Sequence, residues 1–175
     1  MNSGSLDRAV MVTGASTGIG RAAVAKAVRE GAHVFASVRK QSDADGLKSE
    51  FGEAVTPVLF DVADEAAVRA GAAQVAQALG KRRLYGLVNN AGIAVSGPLL
   101  HLDTAELRRQ FEINLFGVHN VTRAFADLLG ADPDRTGKPG RIVMISSVGG
   151  QNGAPFVGPY AASKFALEGY SQSLR

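Results

Sequence analysis

Short runs of apolar residues recur along the chain, separated by longer stretches in which apolar and polar residues alternate with a helical period. The apolar runs have the length and the β-branched content typical of buried strands. They predict five β-strands, at Ala9–Val12, His33–Val38, Val55–Val62, Leu84–Asn89 and Arg141–Ile145.

The stretches between these strands predict helices. A helix over Arg21–Glu30 stops at Gly31, the usual residue past a helix end. A short polar helix runs through Leu47, an alanine-rich helix starts at Asp64, and a last helix begins near Tyr160. A long helix follows the fourth strand, and Asp103 with Glu106 three residues later resembles a capping box at its start.

Strands that alternate with helices predict an α/β fold with a parallel sheet. We expect one three-layer, doubly wound, Rossmann-type domain over residues 1–175. The usual form has six strands in the order 3-2-1-4-5-6 and binds its ligand at the carboxyl ends of the strands. Because only five strands precede Arg175, we expect a sheet that is incomplete at its carboxyl-terminal side.

Composition and charge narrow the classes of partner. The 175 residues carry a net charge of only +3, and the run Lys81–Arg83 is interpreted as a solvated turn, not a nucleic-acid patch. The chain has no cysteine, and His33, His101 and His119 are scattered, so no metal site is expected. No secretory pattern opens the sequence and no apolar run approaches about 18 residues. We therefore expect a soluble cytoplasmic protein without membrane or nucleic-acid partners.

A glycine-rich turn follows the first strand. It spans Thr13–Gly20 and places Gly14, Gly18 and Gly20 between a predicted strand and a predicted helix. Gly14 would permit the turn, Gly18 would let main-chain amides approach a pyrophosphate, and Gly20 would let the helix pack on the strand. A purely structural turn is the alternative, since a glycine cluster alone is weak evidence.

Polar residues also end the third and fourth strands, at the same edge of the sheet. Asp61 could accept a hydrogen bond from an adenine amino group, or it could simply lead the next helix. Asn89 and Asn90 could tie strand ends together or line a cofactor groove. Asn89 is the better structural candidate, because buried main-chain groups at strand ends need partners.

The end of the second strand bears on cofactor choice. An acidic residue there favours NAD, whereas a nearby arginine accommodates the 2′-phosphate of NADP. Arg39 and Lys40 occupy this position, and no acidic residue appears until Asp43. The sequence therefore favours NADP, with Arg39 on the phosphate and Lys40 or Ser16 in support, while NAD stays possible. A solvated surface pair is the alternative interpretation.

Tyr160 and Lys164 lie four residues apart, hence on one face of a helix. An ammonium about 4 Å from a phenolate stabilises it by about 4 kcal/mol at an effective dielectric of about 20. This is roughly what acid/base work by a tyrosine near neutral pH requires. Ser147 follows the fifth strand at the ligand-binding edge. Without a histidine partner it suits an oxyanion-type donor better than the nucleophile of a hydrolase.

Taken together, these residues resemble the short-chain dehydrogenase/reductase family. The resemblance runs in register from Val10 to the end of the chain, through the Thr13–Gly20 turn, Asp61-Val62, Asn89–Gly92, Asn114, Ser147, Tyr160 and Lys164.

The resemblance implies an NAD(P)-dependent oxidoreductase of the NADP-preferring type. Tyr160 would transfer the proton, and Lys164 would lower the pKa of Tyr160 and bind the nicotinamide ribose. Ser147 would hold the substrate oxygen. Asn114 would hold a water that links the lysine to solvent, a role that the resemblance alone supplies. The implied cofactor-binding residues are Thr13, Gly14, Ser16, Gly18, Ile19, Gly20, Arg39, Asp61, Val62, Asn90, Ala91, Gly92, Tyr160 and Lys164.

The expected reaction is hydride transfer between a nicotinamide and a secondary alcohol or ketone. The strip Gly149–Pro159 is apolar and predicts a lipid-, steroid- or retinoid-like small-molecule substrate. A catalytically inactive NADP-binding fragment or a cofactor-sensing regulator is the alternative. Family members continue through further strands and commonly form homo-oligomers, so we expect the full-length form to do the same. The 175-residue chain alone is expected to be aggregation-prone and inactive.

Overall fold

A computed structural model of the chain describes residues 5–174. Within them, five parallel strands form one sheet in the order β3-β2-β1-β4-β5, which confirms the predicted order as far as the fifth strand. The strands are β1 (Ser5–Val12), β2 (Ala32–Val38), β3 (Val55–Leu59), β4 (Gly86–Asn89) and β5 (Arg141–Met144).

Six α-helices connect the strands or follow them. They are α1 (Gly18–Arg29), α2 (Gln41–Phe51), α3 (Glu65–Leu79), α4 (Thr104–Phe111), α5 (Gly117–Ala126) and α6 (Gly158–Ser173). Turns of 3₁₀-helix occur at Gly52–Ala54, Leu99–His101 and Val148–Gly150, and π-helical turns occur at Glu112–Phe116 and Asp127–Ala131. Among residues 5–174, none of the helices has the length and apolar character needed to cross a bilayer.

Two hydrophobic cores, one on each face of the sheet, give the predicted three layers. Val34 of β2 packs with Val24 of α1 in one core, whereas its neighbour Phe35 packs with Val68 of α3 and Phe125 of α5 in the other. Successive side chains of a strand point to opposite faces, so a strand covered by helices on both sides is apolar throughout. Every residue of β2 is accordingly buried.

The strand boundaries differ from the predicted ones by one or two residues in β2, β4 and β5, and by more in β1 and β3. β1 begins at Ser5 instead of Ala9, because Ser5 pairs with Ala32 through the main chain while the side chains of this end stay largely exposed. β3 ends at Leu59 instead of reaching Val62. The chain turns there, and the amide of Asp64 donates to the carbonyl of Asp61.

The long helix predicted from Asp103 is confirmed, but its capping box is not formed. Asp103 makes no side-chain capping hydrogen bond, and the Glu106 carboxylate pairs with Arg109 at 3.2 Å instead. The π-helical turn Glu112–Phe116 joins α4 to α5. By contrast, Asp64 does cap α3, because its Oδ1 accepts from the amide of Ala67 at 2.9 Å.

Candidate active site

A cleft of about 450 Å³ lies at the carboxyl ends of the strands. Residues that follow all five strands line it, as expected for a doubly wound sheet. Of the residues assigned from the sequence, the cleft is lined by Gly14, Ser16, Gly18, Ile19, Arg39, Asp61, Val62, Asn90, Ala91, Gly92, Tyr160 and Lys164. Thr13, Gly20, Asn114 and Ser147 lie outside this lining.

The glycine turn between β1 and α1 is packed too tightly for larger residues at two positions. Gly14 has φ +64°, and a Cβ there would lie 2.9 Å from the Cα of Ala91. A Cβ on Gly20 would lie 2.3 Å from the carbonyl oxygen of Gly14. Gly20 therefore lets α1 close on the turn itself, whereas the sequence had assigned it to packing against the strand.

Thr13 and Asn90 join the glycine turn to the end of β4. The Thr13 hydroxyl accepts from the amides of Asn90 and Ala91, each at 3.0 Å. The Asn90 Nδ2 donates to the carbonyls of Thr13 at 2.8 Å and Gly14 at 3.1 Å. Asn90 thus ties strand ends together and also lines the cleft.

Asn89 lies beneath the cleft and does not line it. Its side chain is buried, and Nδ2 donates to the Thr122 hydroxyl at 3.0 Å and to the Met144 sulfur at 3.3 Å. These contacts link β4 to α5 and β5, which fits the structural role that the sequence favoured.

Arg39 and Asp61 meet at the mouth of the cleft, because they follow the neighbouring strands β2 and β3. The Arg39 Nη1 lies 3.7 Å from the Asp61 Oδ2, and the arginine side chain is 69% exposed. Asp61 also accepts from the amide of Ala63 at 3.0 Å through Oδ1. An exposed ion pair of this kind contributes only about 0–1 kcal/mol. Arg39 can therefore exchange it for an anionic ligand at little cost.

Tyr160 and Lys164 lie one turn apart on α6 and both line the cleft. Lys164 is buried, and its Nζ donates to the carbonyl of Ile145 at 2.7 Å, just past β5. Burial lowers the pKa of Lys164 below its ordinary value. Its Nζ lies 5.8 Å from the centroid of the Tyr160 ring. The amine is thus fixed between the end of β5 and the phenol.

Ser147 and the Tyr160 ring both lie close to Gly149. The Ser147 hydroxyl accepts from the amide of Gly149 at 3.1 Å and caps the 3₁₀ turn that follows. A Cβ built on Gly149 would lie 3.5 Å from the Ser147 Oγ and 3.3 Å from the Tyr160 Cε1. A side chain at Gly149 would therefore contact both of these groups.

Asn114 is buried in the π-helical turn between α4 and α5. Its Nδ2 donates to the carbonyl of Ile93 at 3.0 Å and to the hydroxyl of Ser163 at 3.1 Å. Its Oδ1 accepts from the amide of Ile93 at 2.9 Å. Both hydrogens of the carboxamide are thus engaged by the protein, so the water expected at Asn114 could be held only through an oxygen atom.

Three residues near the site were not singled out from the sequence. Gln110 is fully buried one turn before Asn114, and that spacing was the only available signal. Ser163 donates to the carbonyl of Tyr160 at 2.7 Å and connects it to Asn114. Ser146 lines the cleft, and its buried hydroxyl has no hydrogen-bond partner among the described residues.

Comparison with known proteins agrees with this geometry. The family model described as short chain dehydrogenase matches residues 8–175. An NADPH-dependent 3-dehydrocapnine reductase from Ornithobacterium rhinotracheale is 38% identical over 168 residues, which is 96% of this chain and 59% of that protein. A 3-ketodihydrosphingosine reductase from Bacteroides thetaiotaomicron is 34% identical over 165 residues, covering 94% of this chain and 56% of that protein.

Solved structures agree as well. A variant of actinorhodin polyketide ketoreductase with NADPH superposes with a TM-score of 0.88 at 31% identity, covering 98% of this chain and 65% of that one. The chain thus spans less than two thirds of the length of these relatives. Because the family match covers nearly all of its residues, the chain belongs to the short-chain dehydrogenase family.

Proposed function

We propose that this chain carries the cofactor cleft and catalytic centre of an NADP(H)-preferring oxidoreductase. The reaction is reversible hydride transfer between a nicotinamide and a secondary alcohol or ketone. The observation that carries the proposal is the meeting of Tyr160 and the buried, anchored Lys164 in a cleft at the carboxyl edge of the sheet. The similar proteins named as an NADPH-dependent reductase and as a ketoreductase with NADPH support this choice.

The cleft fits a dinucleotide. At the amino end of α1, Thr17 makes no side-chain hydrogen bond to the first-turn amides, which leaves them available to a pyrophosphate at the positive end of the helix dipole. The space around Gly18 is open, since a Cβ there would have no neighbour within 4 Å. Arg39 supplies a cation at the mouth for a 2′-phosphate. A bound nicotinamide supplies the hydride, or accepts it, at the substrate carbon.

Tyr160 and Lys164 carry out the proton transfer of the proposed reaction. In the direction of reduction, the Tyr160 hydroxyl donates its proton to the substrate oxygen, and the Lys164 ammonium stabilises the phenolate that remains. The Lys164 Nζ lies 5.8 Å from the centroid of the Tyr160 ring and is held there by its bond to the Ile145 carbonyl, so its charge acts on the phenol at short range. A bound oxidised nicotinamide, being positively charged, adds to this stabilisation.

Ser147 orients the substrate oxygen. Its Oγ accepts the amide hydrogen of Gly149 at 3.1 Å, so its own hydrogen is available to a ligand. A hydroxyl near the phenol can therefore donate to the oxygen on which negative charge develops.

The substrate is apolar in this proposal. Three large apolar side chains near the site are exposed: Val148 by 77%, Leu99 by 62% and Phe156 by 63%. Val148 and Phe156 lie on the segment directly before Tyr160, and Leu99 lies on a segment after β4 that contacts it. The amide of Gly97 donates to the carbonyl of Phe156 at 2.8 Å, and a Cβ on Gly158 would lie 3.0 Å from a Leu99 methyl group. Together these two segments offer a hydrocarbon surface to a lipid-, steroid- or retinoid-like ketone.

Replacement of Tyr160 tests the proposal. In the full-length form, Tyr160→Phe should lower turnover of apolar ketones with NADPH by about 10²-fold or more, while the Kd for NADPH stays within about twofold of the wild-type value. Tyr85→Phe is the matched control, because Tyr85 lies before β4 at the opposite edge of the sheet. Retention of most turnover in Tyr160→Phe would refute the assignment. Tight NADPH binding without turnover of any ketone or alcohol by the full-length wild type would favour a cofactor-sensing regulator.

A further inference from the structure

Gln110 is a fully buried polar residue whose position on α4 is not explained by packing alone. It lies four residues before Asn114, so the two carboxamides emerge from the same side of the helix. Both contact the irregular segment that follows β4, from Ile93 to Val95. We call Gln110 and Asn114 together the amide clasp.

The amide clasp supplies the hydrogen bonds that a neighbouring strand would otherwise make to this segment. The Gln110 Oε1 accepts from the amide of Val95 at 2.6 Å, and its Nε2 donates to the carbonyl of Ile93 at 2.9 Å. Asn114 accepts from the amide of the same Ile93 at 2.9 Å and donates to its carbonyl at 3.0 Å. Buried main-chain groups need such partners, and here two side chains provide them.

The segment held by the amide clasp forms one wall of the cleft. Ile93 and Ala94 line the cleft together with Tyr160 and Lys164. A shift of about 1 Å in such a wall is enough to lower affinity and rate, because bound groups must be held in a narrow range of geometries. A change in Gln110 should therefore reach the cofactor, although Gln110 itself does not line the cleft.

We infer that Gln110 is a positioning residue of the dinucleotide cleft: it fixes the Ile93–Val95 wall against which the cofactor lies. This inference rests on the proposed function. The inference adds to that function a residue that acts through the main chain of Ile93 and Val95. A side chain of similar volume cannot replace Gln110 unless it also supplies the same hydrogen-bond donor and acceptor.

Two substitutions of Gln110 separate the effect of its hydrogen bonds from the effect of its side-chain volume. Gln110→Met keeps the length of the side chain but leaves the Val95 amide without its acceptor, while Ile93 keeps both bonds to Asn114. Gln110→Glu keeps the acceptor, and its protonated form also offers a donor. Val75→Ala is the control for loss of stability, since Val75 is fully buried on α3 and does not line the cleft.

Hydrogen exchange on the cofactor-free protein tests the clasp itself. In the wild type, the amides of Ile93 and Val95 should exchange slowly. In Gln110→Met, exchange at Val95 should accelerate at least tenfold more than at Leu87 in the core of the sheet. In Val75→Ala the two sites should change together. Rapid exchange at Val95 in the wild type, or equal changes at Val95 and Leu87 in Gln110→Met, would overturn the inference.

Titration calorimetry with NADP⁺ tests the consequence for the cleft. Gln110→Met should raise the Kd at least tenfold, Val75→Ala should leave it within twofold, and Gln110→Glu should bind poorly at pH 8 but approach the wild type at pH 5.5. Wild-type affinity in Gln110→Met, an equal loss in Val75→Ala, or no recovery of Gln110→Glu at low pH would each refute the role of Gln110. Failure of the wild type to bind NADP⁺ would instead refute the proposed function, and the inference with it.

Discussion

Removal of the Arg39 guanidinium should abolish most of the preference for NADPH over NADH. Arg39 follows β2 at the mouth of the cleft, and among residues 5–174 its one ion pair is the exposed contact with Asp61 at 3.7 Å. A hydrogen bond to a charged group contributes about 1.5–3 kcal/mol, and solvent exposure places Arg39 at the lower end of this range. Arg39→Ala should therefore weaken NADPH binding about tenfold and change NADH binding by less than about twofold.

Arg39→Asp should go further and reverse the preference. The new carboxylate would lie near Asp61, so two negative charges would face the 2′-phosphate, whereas the ribose hydroxyls of NADH would gain an acceptor. Because the site is exposed, raising the ionic strength to about 1 M, where the Debye length is about 3 Å, should shrink the difference between the cofactors.

Titration calorimetry with both cofactors measures these effects. Arg69→Ala is the matched control, because Arg69 is also exposed and paired with a carboxylate, that of Glu65, but lies on α3 outside the cofactor cleft. The control should keep the wild-type ratio of affinities. Equal affinities of the wild-type protein for NADPH and NADH would refute the reasoning, and so would an unchanged ratio in Arg39→Asp.

Two further predictions concern buried titratable groups. Lys164→Met should lose both turnover and NADPH affinity. Its free energy of unfolding in urea should stay within about 1 kcal/mol of the wild-type value, because the substitution removes a buried amine whose pKa burial has lowered. A large loss of stability would contradict this. Burial, and secondarily the charge of Lys48, lowers the pKa of His33 below 6.5. The unfolded chain therefore binds more protons below that pH, and the His33 contribution to stability, complete above about pH 6.5, is lost as pH falls, by at most about 1.4 kcal/mol per pH unit. Urea titrations between pH 7.5 and 5 measure how the free energy of unfolding depends on pH. His33→Gln should flatten this dependence, whereas His101→Gln, at an exposed residue, should not. Equal slopes in the wild type and both variants would contradict the prediction.

The sheet was predictable from the sequence because its signal is local. The five apolar runs and Gly31 past α1 follow from burial and backbone freedom at single positions. The amino-terminal end of β1 was missed, since Ser5 joins the sheet through main-chain pairing with Ala32, which leaves no apolar pattern. The π-helical turn at Glu112–Phe116 likewise has no marker in its side chains.

The candidate site was predictable where a residue type performs its role alone. Tyr160 and Lys164 could be paired from their spacing, and the structure brings both to the cleft. Gln110 could not be found in this way, because it acts on the main chain of a distant segment. Ser163 could not be found either, because its link to Asn114 depends on how α6 packs against the π-helical turn. Cytoplasmic location and assembly into homo-oligomers stay predictions.

Neutral side-chain carboxamides join the segments that form the cleft, and their hydrogen-bonding chemistry explains why this residue type is used. The glycine turn is tied to β4 by Asn90, and the Ile93–Val95 wall is held by Gln110 and Asn114. A carboxamide can satisfy a main-chain N–H and a carbonyl at once, whereas a carboxylate only accepts and an ammonium only donates. It also does so without the large desolvation penalty of a buried charge. Lys164, the one buried cation that lines the cleft within the described part of the chain, is therefore the exception. It lies where the proposed reaction places negative charge, near the Tyr160 phenol.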